Sequence, residues 1–134
     1  MILAIDYGQK RIGLAAGEKI PHGFGVIDNL GEYDVAKKLI LICKETEARE
    51  VVLGLPENRD KQSQHNIGKI KNIGTSLEKA GLKVNYEPEE FTSVEAERIL
   101  KGKGRYDRNH KEKVDEMAAV LLLEQYLNKI NNQG

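Results

Sequence analysis

Carboxylates stand at three places in this 134-residue chain where chemistry could use them. The first is Asp6. The apolar run Ile2-Leu3-Ala4-Ile5 ends abruptly in that acid, Gly8 follows two residues later, and the basic pair Lys10-Arg11 leads into a second apolar run from Ile12 to Ala16. This is the pattern of a buried strand, a tight turn and a returning strand, with a glycine that lets backbone approach a ligand closely. An acid there with cations beyond it suits a magnesium ion and a phosphate; an Asp that only bonds turn amides fits the same residues. The second place is the run from Glu87 to Glu90, where the last expected strand ends. The third is Asp115, which precedes Ala118, Ala119 and Leu122 by three, four and seven residues. It shares the helix face that should meet the core. A buried carboxylate there needs compensation, or else it sits in a first turn whose free amides and dipole favour an acid.

Three acids converging on one edge have a use in phosphodiester cleavage, which needs an activated water and a stabilised leaving oxygen. Two divalent ions about 3.5–4 Å apart, held by shared carboxylates, supply both. Magnesium prefers hard oxygen ligands and keeps several waters, so few acids suffice. Without a cation the three would repel one another.

The elements that must position these acids follow from the patterning. Strands are expected over Ile2–Asp6, Arg11–Gly17 and Gly23–Asp28, joined by short turns. A helix fits Tyr33–Thr46, with Val35, Leu39, Ile42 and Cys43 on one stripe. Glu50–Leu55 is a β-branched strand ended by Gly54 and Pro56. Asp60–Ala80 is helical in pattern despite Gly68 and Gly74. A fifth strand spans Leu82–Tyr86 and stops near Pro88; a helix over Ser93–Lys101 has Thr92 to cap it, and a last helix runs Val114–Ile130. The order βββαβαβαα predicts an α/β fold, a mixed five-stranded sheet with helices on its faces. Tight turns make the first three strands antiparallel, and helical crossovers make the rest parallel. Sites in such sheets gather at the carboxyl ends of parallel strands.

Size and composition fit one domain over residues 1–134: hydrophobic residues are 40% and charged residues 31%. No apolar run is long enough to span a bilayer, and the N-terminus lacks a signal-peptide pattern, so no membrane partner is expected. The single cysteine, Cys43, cannot form an internal disulfide, which points to the reducing cytoplasm. Lying among apolar residues, it reads as a small buried hydrophobe. The 21 basic and 21 acidic residues cancel, which argues against indiscriminate coating of nucleic acid. They are nonetheless segregated: seven Lys or Arg lie between Arg98 and Lys113 against two acids. With Gly102, Gly104 and Tyr106, that run is either a solvated loop or a phosphate-contacting one.

The chain resembles the YqgF/RuvX family of RNase-H-like nucleases over essentially its whole length. The opening DYGQKRIGLA is similar to that family's D-x-G-x-K-R-I-G-x-A signature, and Gly54-Leu55-Pro56-Glu57-Asn58 to its G-L-P-x-N loop. Glu89-Glu90-Phe91-Thr92-Ser93 with Glu95-Ala96-Glu97 resembles its E-R-L-T-T-x-E-A-E stretch. Asp115 to Ala119 resembles its D-x-x-A-A motif, and Tyr126-Leu127 its terminal Y-L. The resemblance implies an RNase-H-like fold and catalytic, metal-holding acids at Asp6, Glu89 and Asp115. Asp6 would bridge two Mg²⁺ or Mn²⁺ ions, with Glu89 and Asp115 each completing one shell. Lys10, Arg11, Asn58, Arg105, Arg108, His110 and Lys111 would contact nucleic acid, although Arg11 could equally pair with an acid. Pro88 and Glu90 stand where the family carries Asp and Arg, so Glu87 and Glu90 rival Glu89.

The implied activity is metal-dependent cleavage of structured nucleic acid. Maturation of the 5′ end of 16S ribosomal RNA precursors, with ribosomal particles as partners, is favoured over resolution of branched DNA junctions. The first would suit a monomer; the second needs the two related sites of a homodimer. Two other classes compete. The opening D-x-G also fits the phosphate hairpin of actin-like ATPases, which need two such domains. A binding module without catalysis on the same fold would draw on Pro88 and Glu90.

Overall fold

The computed structural model describes residues 1–89, 98–99 and 110–132. Strands β1 (Ile2–Asp6), β2 (Arg11–Gly17) and β3 (His22–Asp28) come first, then helix α1 (Glu32–Thr46), β4 (Glu50–Leu55), α2 (Lys61–Lys79), β5 (Lys83–Pro88) and α3 (His110–Asn131). The strands form one five-stranded sheet in the order β3-β2-β1-β4-β5. β2 pairs antiparallel with β1 and β3, while β4 pairs parallel with β1 and β5, as the turn lengths require.

β1 and β4 are central, and their near-continuous apolar runs reflect burial on both faces. Alternation then sorts side chains between two cores. Leu3, Ile5, Ile12, Leu14, Val51 and Leu53 pack with Val35 and Leu39 of α1 and Ile70, Ile73 and Leu77 of α2. Ala4, Ala15 and Val52 turn the other way, against Ala119, Leu122, Leu123 and Leu127 of α3. The sheet residues on the α3 side are small, so that helix lies close. Cys43 is buried in the larger core, where desolvation pushes its thiol up to about 11.

Local chemistry sets the helix ends. Asp60 caps α2, its carboxylate accepting from the Ser63 amide at 2.8 Å while the Ser63 hydroxyl accepts from the Asp60 amide at 3.0 Å. Gly74, expected only to weaken α2, is buried where a β-carbon would strike the Tyr86 hydroxyl. Two boundaries differ from expectation by more than one residue. β5 extends to Pro88, because proline can end a strand at an edge. α3 begins at His110 rather than Val114: its first four residues are polar helix formers without apolar periodicity. The helix expected over Ser93–Lys101 lies outside the described residues, apart from the helical Arg98 and Ile99.

Candidate active site

Strand alternation decides where Asp6 faces. It ends β1 opposite Gly13 of β2, on the α3 side with Ala4, and is 9% exposed. Glu89 arrives from the other flank. Its amide donates to the Leu55 carbonyl at 2.8 Å, extending the β4–β5 ladder one step past the strand. Gly54 makes room for its side chain, since a β-carbon there would lie 2.5 Å from Glu89 Oε1 and 2.9 Å from Cγ. The Asp6 and Glu89 carboxyls consequently lie within hydrogen-bonding reach of one another. Burial raises the Asp6 pKa well above the ordinary aspartate value. The bond to Glu89 raises it further, followed by the negative charges of Glu89 and Asp115.

Asp115 reaches the same edge on α3. The helix crosses β2 at Gly13 so closely that a β-carbon there would collide with the Asp115 carbonyl oxygen, and would sit 3.2 Å from the Glu116 nitrogen. The Asp115 carboxylate accepts from Arg11 Nε at 2.9 Å in a partly exposed ion pair. Arg11 thus takes the acid-pairing alternative in this state. Among the described residues, no three acidic, histidine or cysteine side chains gather closely enough to hold one metal ion. The structure brings Asp6 and Glu89 together and leaves Asp115 beside them, held by Arg11.

The remaining sequence candidates are dispersed. Glu87 is buried but points to α3, accepting from Gln125 Nε2 at 3.0 Å and pairing with Lys129 Nζ at 2.8 Å. Lys10 is exposed in the β1–β2 turn, and Asn58 is exposed after β4. His110 is half-buried at the start of α3, with Lys111 exposed beside it. Glu90, Arg105 and Arg108 lie outside the described residues.

Two structural residues escaped sequence reasoning. Asn29 pins the Asp6 turn, its Nδ2 donating to the Gly8 carbonyl at 2.8 Å and its amide to the Lys10 carbonyl at 2.9 Å. Glu116 accepts from the Gly25 amide at 2.6 Å and packs over Gly23, where the β2–β3 register shifts. The paired glycines of His22-Gly23-Phe24-Gly25 were the available signal, since glycine inside a strand marks a bulge or a close approach.

Chemically, the Asp6–Glu89 pair fits a hard divalent cation. Both groups offer carboxylate oxygens, and a cation between them would relieve their mutual repulsion. Asp115 could join the set once Arg11 yields it.

Residues 1–129 match the family model described as RuvX, Holliday junction resolvase. A protein of Lactobacillus delbrueckii subsp. bulgaricus named "Putative pre-16S rRNA nuclease" is 39% identical, the match covering 94% of each chain. A protein of the same name from Thermosynechococcus vestitus is 33% identical over 94% of this chain and 86% of its own. Among solved structures, Thermus thermophilus RuvC in complex with a Holliday junction substrate superposes with a TM-score of 0.62 at 15% identity, covering 96% of this chain and 94% of that one. The Fowlpox virus resolvase in complex with Holliday junction DNA gives 0.58 at 15% identity, covering 96% and 97%. At such identities these two structures establish the fold, which is RNase-H-like. With the family model matching from Met1 to Lys129, and relatives aligned over nearly their whole lengths, the chain belongs to the RuvX (YqgF) family.

Proposed function

We propose that this chain is one RNase-H-like domain acting as a cytoplasmic, divalent-metal-dependent endonuclease on structured nucleic acid, with the 5′ end of precursor 16S rRNA as its substrate. The observation that carries this reading is the buried Asp6 carboxyl set against Glu89 at the edge where β1, β4 and β5 end. The names of the relatives support the ribosomal substrate.

Asp6, Glu89 and Asp115 would hold Mg²⁺ or Mn²⁺. When bound, such a cation polarises the scissile phosphate and lowers the pKa of the attacking water. The chain supplies the rest. Asn29 fixes the turn after Asp6, keeping that carboxyl at the sheet edge. Glu89 is held by its backbone bond to Leu55. Arg11 neutralises Asp115 and, on releasing it, would offer its guanidinium to a phosphate oxygen. Lys10, Asn58 and Lys111 are exposed and able to contact the backbone of the strand, with Arg105, Arg108 and His110 as further contacts from the basic segment.

Resolution of branched DNA is the second reading, favoured by the family description and by the two junction-bound structural neighbours. Incubating the protein with labelled precursor 16S RNA and with a four-way DNA junction, in Mg²⁺, Mn²⁺ or chelator, separates the two. Metal-dependent cutting of the RNA supports the ribosomal role, and symmetric nicking of the junction alone supports the resolvase. Binding without cutting of either substrate overturns catalysis altogether.

A further inference from the structure

On the opposite side of β1 from Asp6 lies a cleft of about 650 Å³, lined by Tyr7, Gln9, Asn29, Gly31, Glu32 and Lys69. It is within the size range of small-molecule sites. Tyr7 follows Asp6 directly, and successive residues at a strand end project to opposite faces. Asp6 accordingly faces α3, while Tyr7 packs against the core under α1 and α2. The cleft is one residue along the chain from the acid pair.

Its walls are tied down. The Asn29 amide is used at both ends, donating to the Gly8 carbonyl at 2.8 Å and accepting from the Gly31 amide at 3.1 Å. Glu32 accepts from Asn72 Nδ2 at 3.2 Å. The chemistry is that of a base site rather than a phosphate site. The Glu32 carboxylate repels an anion but accepts from the N–H groups of a base; Gln9 offers an amide, and Tyr7 an aromatic ring. Lys69 is the cation available to a flanking phosphate. Leu30 and Tyr33, 70% and 83% exposed, flank these residues in sequence. Aromatic and amide groups beside a cation are what proteins use to hold a splayed, unstacked base.

We propose that this cleft binds an unpaired nucleobase of the strand whose phosphate lies at Asp6, so that the protein selects single-stranded nucleotides next to the scissile bond. The proposal deepens the nuclease reading and rests on it for the position of the strand. A base locked in a duplex cannot leave its stack to enter.

The test uses full-length protein in chelator and a short single-stranded RNA carrying 2-aminopurine at each position in turn. DNA of the same sequence and a blunt RNA duplex serve as comparisons. One position should be quenched on binding, in RNA, DNA or both, and none in the duplex. Tyr7→Leu should remove that quench and weaken single-strand binding by about 5- to 150-fold, the range for one lost base–aromatic stack. Tyr7→Phe should retain both. Lys69→Glu, at a partly exposed position where folding is not at stake, should weaken single-strand binding by about tenfold or more. Quenching at no position, equal quenching in Tyr7→Leu, or duplex binding as tight as single-strand binding overturns the proposal. Asp6→Asn keeps the two readings apart: it should retain the quench while losing cleavage. A cleaving Asp6→Asn protein would defeat the nuclease mechanism and leave the cleft result standing.

Discussion

At Asp6, burial, the bond to Glu89 and the nearby acids all favour the protonated carboxyl. The consequence for stability has a definite sign. Below the ordinary aspartate value both folded and unfolded chains are protonated there, and Asp6 costs nothing. As pH rises, the unfolded chain ionises first while the folded one still holds its proton, so stability falls until the raised folded value is passed. Asp6→Asn removes this loss. Thermal melts in chelator should show the variant about 2–6 °C above wild type near pH 7.5, with the gap closing near pH 4. The same substitution should lower cleavage at least a hundredfold, because it removes an anionic ligand from the proposed cation site. Asp6 was legible because an apolar run ends in it. The choice among Glu87, Glu89 and Glu90 was not: three acids in four residues look alike in sequence, and of the two described, Glu87 turns to α3 while Glu89 lies against Gly54 at the sheet edge.

Secondary-structure elements carry the acids, and two glycines control how closely those elements meet. At Gly13 a β-carbon meets backbone, the Asp115 carbonyl, so α3 itself must shift. Gly13→Ala should destabilise the protein by about 2–4 kcal/mol, measured by urea unfolding. At Gly54 it meets side chain rather than backbone: Glu89 at Cγ and Oε1, and a methyl of the buried Leu122. Gly54→Ala should lose only about 1 kcal/mol yet reduce cleavage more than Gly13→Ala does when both are compared below their melting temperatures. Strand boundaries for β1, β2 and β4 were readable because apolar runs there end at Asp, Gly or Pro. The roles of Gly13 and Gly54 were not readable, since each depends on an element about 100 or 35 residues away in sequence. The first turn of α3 was hidden for a different reason: a charged run reads as loop whether or not it is helical.

Across the whole molecule, the acids come from near the start, from after the fifth strand and from the last helix, so the site exists only when both sides of the sheet are packed. Cys43 reports on one of those sides. Buried on the core-facing side of α1 with its thiol held up to about 11, it should react with a thiol reagent at neutral pH only through opening of the chain. Its labelling rate should therefore fall when Mg²⁺ is added, by the factor by which the cation stabilises the fold. The most direct test of the central claim is the Mg²⁺-induced rise in melting temperature, measured for wild type, Asp6→Asn, Glu89→Gln and Glu87→Gln. Wild type and Glu87→Gln should show a rise that is lost in Asp6→Asn and Glu89→Gln. Loss of the rise in Glu87→Gln alone, or an undiminished rise in Asp6→Asn, would contradict it.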